Sequence, residues 1–90
     1  MPTVRFTRHL RRFFDGLDTL EVAAATVAEV VDALDDLHPG IRHYVVDERG
    51  RLRKHVNIFV GDAMISDREM LSDSVGEDDE IYIMQALSGG

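Results

Sequence analysis

Apolar and polar positions alternate with period two at both ends of this chain, and a helical period occurs once between them. Val4, Phe6 and Leu10 are apolar while Thr3, Arg5 and Thr7 are polar, which predicts a half-buried first strand that Arg8 breaks near its end. Residues 9–16 turn the chain, with Asp15-Gly16 as the turn signal. Leu20-Glu21-Val22 alternates again and predicts a second strand, paired with the first as a hairpin. Thr26-Val27-Ala28-Glu29 then fits a capping box: the Thr26 hydroxyl accepts from the Glu29 amide and the Glu29 carboxylate reaches back. Val27, Val30, Val31, Leu34 and Leu37 recur at helical spacing and predict one apolar stripe. His38-Pro39-Gly40 stops the helix. Asp32, Asp35 and Asp36 lie off the stripe and read as a solvated face.

In the second half, residues 41–46 read as a third strand, Asp47-Glu48-Arg49-Gly50 as a turn, and residues 52–60 as a fourth strand ended by Gly61-Asp62. Residues 63–75 are mixed and predict a loop with a short helical turn, anchored by Met64, Ile65, Met70, Leu71 and Val75. Gly76-Glu77-Asp78-Asp79-Glu80 is an acidic turn that launches a last strand, Glu80-Ile81-Tyr82-Ile83-Met84. The predicted order is strand-strand-helix-strand-strand-strand. The simplest way to bury its apolar faces is an α+β domain, a mixed sheet of about five strands wrapped over one helix.

On the last strand Ile81 and Ile83 share a face, the core, so Tyr82 and Met84 point outward. Phe59 joins them if Val56 and Ile58 fill the other face of their strand. Phe59, Tyr82 and Met84 then form an exposed patch suited to a partner interface. The alternative is that a bulge shifts the parity or that the loop 63–75 covers this face. Beyond the strand the chain ends Ala86-Leu87-Ser88-Gly89-Gly90. The expected division is a folded domain over 1–86 and a thin, flexible arm over 87–90, comprising Leu87, Ser88, Gly89 and Gly90. Without Cβ atoms, two glycines pass through a channel too narrow for other pairs, and the Gly90 carboxylate is left unhindered as a chemical handle. At an average glycine usage of about 7%, two terminal glycines arise by chance in about 0.5% of chains. The tail therefore gains its meaning from the body in front of it.

Ninety residues make one domain with one modest core, which suits a module that something else grips. The net charge of −7 argues against a nucleic-acid partner and favours a partner with a basic docking surface. There is no cysteine, hence no disulfide and no thiolate nucleophile, and a cytoplasmic setting is expected. No apolar run approaches the length of a membrane span, so no membrane partner is expected. Residues 1–14 are arginine-rich in the manner of a transit peptide, yet they alternate like a strand. No Gly-x-Ser-x-Gly elbow, phosphate-binding glycine loop or Ser/His/Asp spacing is present, so no catalytic residue is assigned. His43 and His55 flank the turn near Arg49 and are expected opposite each other on antiparallel strands. Without a third ligand they make no metal site. Arg49, Arg51, Arg53 and Lys54 form a basic hairpin with two readings, charge protection of a strand edge or docking onto an acidic partner surface. The acidic run 77–80 has the same two readings.

At this point the chain resembles the MoaD/ThiS family of sulfur carriers, which share the ubiquitin-like β-grasp fold. The resemblance spans nearly the whole length. It rests on the element order, on His55-Val56-Asn57-Ile58-Phe59-Val60-Gly61-Asp62, and on Val75-Gly76-Glu77-Asp78-Asp79-Glu80-Ile81-Tyr82-Ile83 running into Gly89-Gly90. It implies a carrier with no bound cofactor and no catalysis of its own, acting beside larger enzymes and in one guise as the small subunit of a synthase. An adenylating partner related to ubiquitin-activating enzymes would use ATP to convert the Gly90 carboxylate to an acyl-adenylate. A sulfur donor would then leave a Gly90 thiocarboxylate, and an acceptor synthase would pass the sulfur to a molybdopterin precursor, the thiazole of thiamine or an amino-acid precursor. Many family members carry proline and alanine before the glycines, whereas this chain has Gln85, Ala86, Leu87 and Ser88. Two other functions stand beside the carrier: a ubiquitin-like modifier joined through Gly90 to target lysines, and an interaction domain with an incidental tail. Lys54 is the sole lysine, which limits any side-chain-linked polymer to one branch point.

Overall fold

The computed structural model describes residues 1–7, 11 and 19–85. Strand β1 (Thr3–Phe6) buries Val4 and Phe6 and pairs antiparallel with β2 (Leu20–Glu21), Thr3 opposite Glu21 and Val4 opposite Leu20. The two strands form the expected pair. The turn between them, with Leu10, Asp15 and Gly16, lies outside the described residues.

Helix α1 (Val27–Leu37) starts where the sequence places it. The Thr26 hydroxyl accepts the Glu29 amide at 3.2 Å, and the Glu29 carboxylate accepts the Ala25 amide at 2.8 Å, one residue ahead of the position a capping box uses. Val27, Val30, Val31 and Leu34 are buried beneath the sheet. Leu37, expected on the same stripe, is 55% exposed, because the stripe rotates off the sheet in the last turn. Asp35 is also no mere solvated residue: its carboxylate accepts the amides of Gly40 at 3.0 Å and Arg42 at 3.1 Å. Asp32 pairs with the Arg42 guanidinium.

Those contacts overturn the predicted third strand. Residues 41–45 form a second short helix, α2 (Ile41–Val45), entered through Gly40 at φ +101°. Ile41 and Val45, four apart, both face the core, as a helix requires. The predicted fourth strand is shorter too: β3 is Val56–Val60. Of the predicted 41–46/52–60 hairpin only a single antiparallel bridge survives, Val46 to Leu52, and Arg53, Lys54 and His55 form an exposed turn before β3. Gly61-Asp62 then makes a two-residue loop, with φ +63° at Gly61, into a strand that the sequence left as loop, β4 (Ala63–Met64). The last strand, β5 (Glu80–Gln85), arrives as expected.

The order is thus β-β-α-α-β-β-β, and the five-stranded sheet runs β2-β1-β5-β3-β4. β5 lies at its centre, parallel to β1 (Val4 opposite Ile81, Phe6 opposite Ile83) and antiparallel to β3 (Ile58 opposite Ile83). Val4, Phe6, Ile58, Ile81 and Ile83 from the sheet meet Val27, Val30, Val31 and Leu34 from α1 in one core. This is the β-grasp arrangement, a mixed sheet closed over its main helix. Among the described residues no helix is long and apolar enough to cross a membrane.

Candidate functional site

β5 alternates strictly. Ile81 and Ile83 are buried, while Tyr82 and Met84 are 37% and 38% exposed on the other face. On β3, Val56 and Ile58 are buried and Phe59 is half-buried. The register sets Phe59 directly across from Tyr82 and Asn57 across from Met84, so Met84 is the diagonal neighbour of Phe59. At these separations outward side chains on adjacent strands touch. The three residues singled out from the sequence therefore share one outward sheet face. Phe59, Tyr82 and Met84 line a shallow hollow of about 500 Å³ together with Arg5, Asp62 and Glu80. No residue of 63–75 lines it, which removes the alternative that this loop covers the face. Arg5 and Glu80 close one side through an exposed ion pair at 3.1 Å.

The strand's C-terminal end is held by β1. The Thr7 amide donates to the Ile83 carbonyl at 3.2 Å, and the Gln85 amide donates to the Thr7 hydroxyl at 3.4 Å. Leu87, Ser88, Gly89 and Gly90, which carry the tail chemistry expected from the sequence, lie outside the described residues. In the sequence only Ala86 separates them from the end of β5.

Other sequence candidates are placed differently. His43 sits on α2 and His55 in the turn before β3, so they do not face each other across antiparallel strands. Among the described residues no group of three or more His, Asp and Glu could hold a metal ion. Within the acidic run, Asp79 builds its own turn: its carboxylate accepts the Gly76 amide at 2.7 Å and its carbonyl accepts the Thr3 amide at 3.0 Å. Glu77, Asp78 and Glu80 remain exposed.

One carboxylate went unnoticed in the sequence. Asp67 accepts the Ser72 hydroxyl and the amides of Met70, Ser72 and Glu69, and these donors lower its pKa to about 2, the hydroxyl contributing most. Asp73 in turn accepts the amides of Ser66 and Asp67. The pair folds the loop so that Leu71, at φ +55°, drops into the core and its carbonyl accepts the Ala28 amide. Serine and aspartate in a polar stretch are the usual signal of such turns.

A β-grasp sheet whose central strand leads into a glycine tail defines the ubiquitin-like class of small carriers and modifiers. Solved structures agree on the fold. The chain superposes on a chain of the BexX/CysO complex from Amycolatopsis orientalis with a TM-score of 0.86 and 29% identity, covering 100% of both. It superposes on SAMP1 from Haloferax volcanii with a TM-score of 0.82 and 25% identity, covering 99% of this chain and 98% of that one. Within the class, the chain belongs to the ThiS family, which it matches over residues 4–90. It is also 27% identical over 90 residues to the sulfur carrier protein CysO of Mycobacterium tuberculosis, covering 98% of this chain and 97% of that protein.

Proposed function

We infer that the chain is a cytoplasmic sulfur carrier that acts as the substrate of other enzymes and carries its sulfur on Gly90. The observation that carries this reading is that the central strand β5 ends at Gln85, with three residues between it and Gly89-Gly90 in the sequence, within a family match that runs to residue 90. A partner related to ubiquitin-activating enzymes supplies ATP. A Gly90 carboxylate oxygen attacks the α-phosphorus, pyrophosphate leaves, and an acyl-adenylate forms. A sulfur nucleophile then attacks the carbonyl carbon, a C–S bond forms, and the C–O bond to AMP breaks. When the donor is a persulfide, the product is an acyl disulfide, and a second thiol reduces its S–S bond to release the thiocarboxylate. The tail then enters an acceptor synthase. The likeness to CysO supports an amino-acid precursor as acceptor, ahead of molybdopterin or thiazole precursors. In this reading Phe59, Tyr82 and Met84 dock the partner while the tail reaches its site.

A second reading, conjugation to lysine through Gly90, is favoured by the likeness to SAMP1, described in a related structure as a small archaeal modifier protein. Intact-mass analysis of the protein from its native host under non-reducing conditions separates the two. The carrier reading expects a fraction heavier by one oxygen-to-sulfur exchange, mapped to Gly90. Gly90 found only in amide linkage to lysine would favour the modifier. An acceptor reaction unaffected by deletion of Gly89 and Gly90 would overturn both.

A further inference from the structure

The segment from Asp47 to His55 has no regular element, yet it is held tightly. Asp47 Oδ1 accepts the amides of Arg49 at 2.8 Å and Arg51 at 3.0 Å, and its Oδ2 takes Arg51 Nε at 3.2 Å. The Arg51 amide, more than any other donor, holds the Asp47 carboxyl below its usual pKa. Arg68 reaches in from the following loop. Its Nη1 donates to Asn57 Oδ1 at 3.0 Å, and its Nη2 donates to the carbonyls of Arg53 at 2.8 Å and Val56 at 3.0 Å. Arg53 Nε donates to the His43 carbonyl at 2.7 Å.

These bonds use Arg51, Arg68 and one nitrogen of Arg53 to shape the turn. They leave Arg49, Lys54 and the terminal nitrogens of Arg53 exposed and without an ion-pair partner among the described residues. The chain has 17 carboxylates for 10 arginines and lysines, so partners for these cations were available in its own composition. Instead like charges gather around a groove of about 570 Å³, walled by Arg51, Arg53, Lys54 and Arg68 against only Asp47 and Glu69. β4 covers only Phe59 and Val60 of β3, and at Val56 the open edge is met by Arg68, so strand-edge protection accounts for Arg68 and leaves the free heads of Arg53 and Lys54 unexplained.

We propose that this groove is a docking surface for an acidic protein segment. A fixed backbone with cationic heads left over is preorganised, so little ordering entropy is lost when carboxylates arrive. A nucleic acid fits less well. The chain's net charge of −7 repels a polyphosphate, two carboxylates interrupt the cations, and His55 is the single ring lining the groove, with no Phe, Tyr or Trp beside it to extend a stacking platform. The surface shares no residue with the Tyr82 hollow and does not depend on Gly90 chemistry.

The test is an NMR titration of the ¹⁵N-labelled full chain with short poly-L-glutamate at about 0.05 M and about 0.3 M salt. Amide shifts confined to residues 47–55 and 68–69 are expected. Affinity should fall roughly tenfold at the higher salt and again in a Lys54→Glu variant, whose side chain lines the groove and holds no internal bond among the described residues. An Arg5→Glu variant should bind like the parent. Shifts absent, spread over the molecule or unchanged in the Lys54→Glu variant would overturn the proposal. Equal or tighter binding of an oligothymidylate at the same residues would overturn it in favour of a nucleic acid.

Discussion

Leu34 and Leu37 belong to one predicted stripe on one helix, and the structure separates them. Leu34 has 0% exposure, under the sheet, and Leu37 has 55%. Truncating Leu34 to alanine removes a fully buried side chain whose transfer from water is worth about 1.5–3 kcal/mol, and the cavity left in a packed core raises the loss to about 3–5 kcal/mol. A 90-residue domain has a total stability of only about 5–13 kcal/mol, so this is a large share of it. Leu37→Ala removes atoms that already contact water for about half their area. Its loss should stay below about 1 kcal/mol, partly offset by alanine's better helix propensity. Urea unfolding followed by circular dichroism at the helix band measures both, with equal m-values confirming that the unfolded states are comparable. A gap of less than about 1 kcal/mol between the two variants would refute the placement of α1.

The remaining predictions concern acid stability and the outward sheet face. The folded-state pKa of Asp67 lies at about 2, below the ordinary 3.8, so its contribution is present above the unfolded pKa and is lost as pH falls from about 4 towards 2. Thermal unfolding should therefore show Asp67→Asn less stable than the parent at neutral pH, with the difference narrowing towards pH 2; a gap constant with pH would count against the network. Tyr82→Ala should lower the melting temperature by only a few degrees, because the side chain pairs with Phe59 across the strand but lies outside the core, yet raise the carrier concentration needed for half-maximal pyrophosphate release by the proposed adenylating partner about tenfold or more. Unchanged release kinetics would remove Tyr82 from the docking face.

Much of the fold was legible because its signals are local. The Thr26/Glu29 cap, the Val27-Val30-Val31-Leu34 spacing and the Ile81/Ile83 against Tyr82/Met84 alternation each lie within a few residues, and each is where the sequence placed it. That alternation, with Phe59, also located the outward patch. The failures share another cause. Residues 41–46 are rich in Ile, Val and Tyr, which favour strands, and a segment of six residues, with Arg42 and His43 among them, is too short to show a decisive period. The Asp35 carboxylate, reaching across to the Gly40 and Arg42 amides, tips it into a helix, and that contact is invisible in composition. Leu37 was misplaced because a helix stripe does not reveal where the sheet above it stops. The role of Asp67 was missed because its donors cluster only once the loop is folded.

The position of β5 has a consequence for how the molecule comes into being. β1 and β3 are not hydrogen-bond neighbours in the sheet order; each pairs with β5 on its inner side. A nascent chain that has not yet reached residue 80 holds at most two separate two-stranded ribbons, β1 with β2 and β3 with β4, each exposing an unpaired edge. Pairing Thr3 with Glu80 spans almost the entire sequence, a contact of high order that forms late in folding. Insertion of β5 joins both ribbons in one step and seals the core beneath them. The strand that completes the sheet is also the one that precedes Gly90, so under the proposed function an activating enzyme that gripped the finished sheet would select for intact molecules. On that reading quality control is built into the topology: a truncated or misfolded copy would lack the surface by which its handle is recognised.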